Sequence, residues 1–354
     1  MNRKISQLRI RMEASGIEGL IISNPINIRY LTGLEAEGYL LINENENFFV
    51  TDARYIEKVN SKLTIEDEII AQDGKDLDQD DFLNFFNNAQ KVGFEEDYVT
   101  YEKYQRILIK YRPKELVEAS RIIENMRIIK SEDEIEKIEK ACNITDSCYL
   151  HILDHIKIGM TEKQVALEIY DFFIKNGADG LAFDTIVASG ENTSMPHAVP
   201  TNRIIKAGDP VLIDFGAKYK GYCADMTRTF FMQEISDEYK KIYELVKNVQ
   251  EKALEKIKSG ANGNEISKSV ENEFSMNDYD LMHALGHGVG MEVHEKPILS
   301  PRINLDLQEN MVVTDEPGIY IQGKIGIRIE DTILVKNMNS IPLTKSNKNL
   351  LIIS

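Results

Sequence analysis

Two aspartates on either side of a short turn are the first residues whose types and spacing suggest chemistry. Val211-Leu212-Ile213-Asp214-Phe215-Gly216 and Tyr222-Cys223-Ala224-Asp225 are strand-like runs flanking Ala217 to Gly221, a hairpin pattern. With the turn centred on Tyr219-Lys220, Asp214 and Asp225 fall directly opposite on one face, with Cβ atoms about 5 Å apart. Like charges placed so repel, and burial makes the repulsion worse. A shared proton, a nearby Arg or Lys, or metal ions would relieve it. A register shifted by one would instead leave each Asp capping a turn.

Three further segments carry candidate groups. His283-Ala284-Leu285-Gly286-His287-Gly288-Val289-Gly290 is too glycine-rich for a stable helix, so a strand or loop brings its imidazoles to a backbone-crowded place. It holds no H-E-x-x-H, which excludes the helix-borne zinc-protease arrangement. Val312-Val313-Thr314-Asp315-Glu316-Pro317-Gly318 reads as a strand halted by proline. Ile325-Gly326-Ile327-Arg328-Ile329-Glu330-Asp331 alternates, so Arg328 and Glu330 share a face opposite Ile327 and Ile329.

In order and local context, Asp214, Asp225, His287, Glu316 and Glu330 resemble the five metal ligands of the pita-bread metallopeptidases, which include aminopeptidase P, prolidase and methionine aminopeptidase. Ser23-Asn24-Pro25, Asn27 to Gly33 and Thr51-Asp52-Ala53-Arg54-Tyr55 resemble the creatinase-type N-terminal domain of the first two. Met126 to Ser131 resembles the family's junction. Phe183 to Gly190, with Met195-Pro196-His197-Ala198, resembles its substrate-side loop. Methionine aminopeptidases generally lack the N-terminal domain, so the proline-directed branch fits better.

The resemblance implies a metal-dependent exopeptidase that releases the N-terminal residue from short peptides with proline second, using a hydroxide activated by two divalent ions. An Xaa-Pro dipeptidase is the alternative, and a metal-free binding module on the same fold is a distant one. Four carboxylates and one neutral imidazole sum to a charge that two dications cancel. That hard set suits Mn²⁺, with Co²⁺, Zn²⁺ or Fe²⁺ as alternatives. The resemblance also implies that Glu316 both binds metal and shuttles the water proton, that His197 and His294 hold the carbonyl oxygen, and that His283 stands nearby. Arg328 is expected to orient a carboxylate, Glu330 or the substrate's, or equally to form a purely structural ion pair. A homodimer is expected from the family alone.

Other reactive side chains read as structural. Cys142 and Cys148 are expected as buried small hydrophobes. In the assumed register Cys223 faces with Asp225, opposite Gly216, which could bring its thiol towards the metals, although small packed filler is the better reading. Tyr320 could lend a hydroxyl to the site, although core packing is the better reading. Asp315 should point away from the metals and either pair elsewhere or reach solvent. His151 and His155 stand i,i+4 on a long helical pattern, and with no carboxylate cluster beside them in the sequence a surface or interface role is expected.

Two domains must position these groups, as 354 residues suggest at about 150 per domain. Residues 1–122 alternate apolar runs (Gly19 to Ile22, a hairpin of Tyr39 to Ile42 with Phe48 to Val50, Lys91 to Phe94) with helical patterns, the mark of an α/β domain. Residues 123–354 read as an α+β pita-bread domain with a pseudo-twofold repeat. Ser131/Glu134 and Thr161/Gln164 are capping boxes opening a long and a short helix, and Ser236 and Asn264 open a similar pair later. The formal net charge of −16 argues against a nucleic-acid surface or a polybasic membrane patch. Three cysteines make no disulfide framework. The absence of a signal-peptide pattern or a membrane-length apolar run points to a cytoplasmic protein.

Overall fold

The computed structural model describes residues 2–63, 69–73 and 89–354, which divide into two units at Met126/Arg127. In the first unit a mixed six-stranded sheet runs in the order Ile69–Asp73, Asn47–Thr51, Tyr39–Asn43, Gly19–Ile22, Lys91–Phe94, Glu115–Glu118. Gly19–Ile22 is buried along its whole length, as its unbroken apolar run requires. The helix Arg3–Ala14 buries Ile5, Leu8 and Met12, the i, i+3, i+7 stripe of an amphipathic helix. Buried Glu95 accepts from the backbone N–H groups of Ser23 (2.6 Å) and Asn24 (2.7 Å) and from Asn27 Nδ2 (2.7 Å). It thus satisfies free donors at the entry to the helix Pro25–Thr32.

In the second unit two helix pairs each back a sheet. Both capping boxes are formed: Ser131 with Glu134 opens Glu132–His155, and Thr161 with Gln164 opens Glu162–Lys175. Ile144, Cys148, Ile152, Val165, Ile169 and Phe173 pack against Val187, Ile213, Phe215 and Phe230 of a four-stranded sheet. That sheet is ordered Ile352–Ile353, Met226–Met232, Pro210–Phe215, Ile186–Ser189. Each large apolar side chain so buried contributes about 1.5–3 kcal/mol.

The helices Asp237–Lys256 and Gly263–Ser275 cover the second sheet, ordered Glu295–Leu299, Gly286–Gly288, Val312–Asp315, Asp331–Leu334, Ile341–Pro342. The second short helix is capped by Asn262 rather than opened by Asn264, since the Asn262 side chain accepts from the N–H groups of Asn264 and Glu265. The two halves repeat even in their loops. Gly159 N–H donates to Ile205 O as Gly260 N–H does to Leu307 O, and the bridge Thr161–Ile204 returns as Asn262–Asp306. None of the described helices is long and apolar enough to cross a membrane.

Candidate metal centre

Five side chains from both halves of the second unit line one cavity of about 440 Å³. Asp214 lies on Pro210–Phe215 and Asp225 just ahead of Met226–Met232. His287 is the middle residue of Gly286–Gly288, Glu316 follows Val312–Asp315, and Glu330 precedes Asp331–Leu334. The two sheets are stitched together here: Glu330 N–H donates to Thr227 O (3.1 Å), and the Thr332 hydroxyl donates to Asp225 O (2.7 Å). His287 Nε2 stands 3.3 Å from Glu316 Oε1 and 3.5 Å from Asp225 Oδ2. One ligand atom each from Asp225, His287 and Glu330 lie within 4.8 Å of one another.

The hairpin bearing the two aspartates differs from its sequence reading. Its turn centres on Lys220-Gly221, with Tyr219 paired to Tyr222 and Lys218 to Cys223. Both central residues have positive φ (47° and 83°), the type I′ geometry that matches strand twist and favours glycine at the second place. Asp214 therefore lies opposite Thr227, and Asp225 is its diagonal neighbour, two residues along on the same face. The convergence survives because the slip is two residues, one full side-chain period. Cys223 instead opposes Lys218, with its buried Sγ 3.6 Å from Met291 O, and it does not line the cavity.

Burial pushes the Asp225 and Glu330 carboxyls well above the usual carboxylate range, and their acidic neighbours add to the rise. Asp214 is also raised by burial, with Arg328 pulling the other way. Glu316 is the exception. Burial pushes it up, but His287, His283 and Arg328 outweigh that and hold it below the ordinary value. The buried oxygens Asp214 Oδ1 and Asp225 Oδ1 have no hydrogen-bond partner, a costly condition unless a cation fills the place.

The imidazoles are held in defined roles. His287 Nδ1 lies 3.1 Å from Gly288 O and donates to it, so Nε2 is the nitrogen aimed at the carboxylates. Protonated, it donates towards Glu316, which raises the imidazole's pKa against the effect of burial, and deprotonated it would be the atom to take a metal. His283 Nδ1 donates to Ala284 O (2.8 Å), so its Nε2 accepts from the Tyr320 hydroxyl (3.2 Å). Burial pushes Tyr320 up to about 12, so that hydroxyl keeps its proton. His197 and His294 stand exposed on the cavity wall, and the His294 ring meets His287 edge-on with centroids 4.3 Å apart. Burial lowers the pKa of His283, and burial together with His287 lowers that of His294.

Arg328 orients Asp214 rather than Glu330: Nη2 lies 2.6 Å from Asp214 Oδ2, while Nε donates to Thr227 Oγ1 (2.9 Å) and Nη1 to Tyr320. The strand carrying it breaks after Arg328 and resumes at Asp331 in another sheet, so Glu330 turns to Thr227, whose hydroxyl donates to it (2.6 Å). Tyr320 therefore belongs to the site, not to simple packing. Asp315 neither pairs nor reaches solvent. It is fully buried with neither oxygen hydrogen-bonded, and burial, reinforced by Asp331, drives its carboxyl far up.

Sequence reasoning overlooked two threonines. Thr227 bridges Arg328 and Glu330. Thr314 accepts from His287 N–H (3.0 Å) and reaches Glu316 Oε1 (3.3 Å). Both stand two residues from a candidate ligand on the same strand face, a period-two signal that was available. The other cavity wall is apolar, formed by Phe183, Ile186, Ala198, Val199 and Val293.

The donor set fits divalent cations: orphaned buried oxygens, carboxylates driven towards neutrality, and an imidazole whose Nε2 is aimed at them. Comparisons with known proteins agree. Residues 136–337 match the model of Metallopeptidase family M24, and residues 4–129 that of the Creatinase/Prolidase N-terminal domain. An Xaa-Pro dipeptidase of Pyrococcus horikoshii is 37% identical over 99% of each chain. The structure of an Xaa-Pro dipeptidase from Bacillus anthracis superposes with a TM-score of 0.93 at 37% identity, covering 99% of both chains. That of an X-Pro aminopeptidase from Thermotoga maritima does so with a TM-score of 0.88 at 34% identity, covering 97% of this chain and 100% of its own. The chain belongs to Metallopeptidase family M24 and carries a creatinase/prolidase-type N-terminal domain ahead of a pita-bread catalytic domain.

Proposed function

We propose that the protein hydrolyses Xaa-Pro dipeptides at a centre of two divalent cations, Mn²⁺ by preference, held by Asp214, Asp225, His287, Glu316 and Glu330. The observation that carries the reading is the buried cluster of Asp225, His287 and Glu330 beneath a small, half-apolar cavity. Its volume of about 440 Å³ suits a short peptide, since small-molecule pockets span ~300–1,000 Å³. The order of the two activities expected from sequence is reversed here, because Xaa-Pro dipeptidases recur among the relatives and solved structures that resemble this chain. The likeness to the Thermotoga maritima X-Pro aminopeptidase keeps cleavage of longer peptides as the second reading.

When bound, the cations would supply charge neutralisation, polarise the peptide carbonyl and acidify a water. The side chains do the rest. Glu316, whose oxygens stand beside His287 and His283, accepts the proton of the attacking water and delivers it to the proline nitrogen as the C–N bond breaks. His197 and His294, on the cavity wall, donate to the carbonyl oxygen as negative charge develops, an effect of about 3 kcal/mol per donor. His283 gives its one N–H to Ala284 O and so positions Tyr320 instead of donating to substrate. Arg328 locks Asp214 in the orientation it would need as a ligand. The same reading takes the protein as a cytoplasmic homodimer without nucleic-acid or membrane partners, in keeping with its net charge of −16.

Offering the purified protein a dipeptide and a tripeptide, both with proline second, tests the reading. Rapid cleavage of the dipeptide with little of the tripeptide is expected. The opposite preference would make it an aminopeptidase. Cleavage of neither, with divalent cation supplied, would favour a binding module.

A further inference from the structure

The i,i+4 pair His151 and His155 has a carboxylate partner that sequence spacing hides. Glu168, on the next helix (Glu162–Lys175), reaches across to both rings. Its Oε1 lies 2.7 Å from His151 Nε2 and its Oε2 3.6 Å from His155 Nε2. The three ligand atoms lie within 4.8 Å of one another. None of these residues lines the catalytic cavity.

We infer that His151, His155 and Glu168 form a separate surface site for one transition-metal dication of the Zn²⁺ class, tying the helix Glu132–His155 to Glu162–Lys175. Tetrahedral zinc with bonds of about 2.0–2.2 Å places neighbouring ligand atoms ~3.3–3.5 Å apart. The two separations, 2.7 Å and 3.6 Å, run to different oxygens of Glu168, so a small turn of the carboxylate and an opening of the His151 contact by about 0.6 Å would bring one ligand atom of each residue to that spacing. The rings are oriented by packing: His151 stacks on Phe172 (centroids 4.9 Å apart, 28° between planes) and on His155 (5.4 Å, 24°). Both rings aim Nε2 at the carboxylate, so in the occupied site each would carry its proton on Nδ1. Two imidazoles to one carboxylate is a softer set than the catalytic cluster, which selects zinc, nickel or copper over manganese. Three protein ligands leave a fourth position for water, and the side chains are 35%, 46% and 27% exposed, open to ions from solvent. The two helices jointly cover the sheet that carries Asp214, so an ion here braces that layer without touching the cavity.

Equilibrium dialysis of the holoenzyme against Zn²⁺, with metal counted per chain, tests the site. Wild type should bind one equivalent more than His155→Ala and than Glu168→Gln, and Zn²⁺ should raise its melting temperature further than theirs. Both variants should keep wild-type peptidase turnover. Equal zinc counts in wild type and either variant would overturn the inference, since Glu168 would then be only a hydrogen-bond partner of His151. Because the readout is a difference between chains sharing one catalytic centre, it stands apart from the peptidase assignment.

Discussion

Glu316 is set apart from the other acids of the centre by its neighbours. His287 lies 3.3 Å from one of its oxygens and His283 3.9 Å from the other, and these groups keep it ionised where burial drives Asp225 and Glu330 towards neutrality. In the proposed mechanism Glu316 is the general base. Glu316→Gln keeps the shape and removes the base. The variant should fold normally, with kcat lower by about 10²–10⁴-fold, and steady-state kinetics on an Xaa-Pro dipeptide check this. Asp331 plays a structural part beside Glu330. Burial raises its carboxyl, but Arg228 (2.7 Å) and Lys348 (2.8 Å) outweigh this and hold it below the ordinary value. A depressed folded-state pKa contributes stability above the unfolded value of about 3.9 and loses it as pH falls through the folded value. Asp331→Asn leaves Arg228 buried without its counter-charge and should cost about 3–5 kcal/mol at neutral pH. Denaturant unfolding from pH 7 to pH 3 should show the gap to wild type closing below about pH 4.

At the scale of elements, the strand Gly286–Gly288 shows why the centre needs glycine. A Cβ on Gly286 would meet the Thr314 carbonyl oxygen and one on Gly288 that of Lys296, both backbone atoms that cannot swing aside. Gly286→Ala should therefore displace His287, costing metal affinity by at least tenfold as well as stability, which metal titration and thermal melting read together. The crowding was legible in the run of glycines, as were both capping boxes, the strand carrying Asp214 and the strand that ends just before Glu316. The hairpin register was not. Reading it required recognising Lys220-Gly221 as the type I′ pair, and the two-residue slip went unnoticed because side-chain parity hides it. The bond of Arg328 to Asp214 was hidden for a different reason: continuous alternation in the sequence conceals a strand that changes sheets between Arg328 and Asp331. Asp315 defeated the pattern argument altogether, because strand alternation gives the face a side chain takes and not whether that face is buried.

For the whole molecule, the centre is a source of strain that ligand binding converts into stability. Four carboxyls and an imidazole converge from five strands, or the residues flanking them, in both halves of the second unit, and the surrounding core can hold them only with their charge balanced. A cation that binds the folded chain alone adds about 2.7 kcal/mol at a hundred times its Kd. Stripping with a chelator should thus lower the melting temperature as well as abolish activity. The pseudo-twofold repeat explains why ligands scattered over more than a hundred residues meet, since equivalent helix pairs press both sheets onto one seam. The most direct measurement follows bound Mn²⁺ and Xaa-Pro dipeptide turnover in the same samples through chelation and metal return. The account predicts that the two fall together and recover together at two catalytic equivalents per chain. Turnover that persists in the fully stripped protein would contradict it.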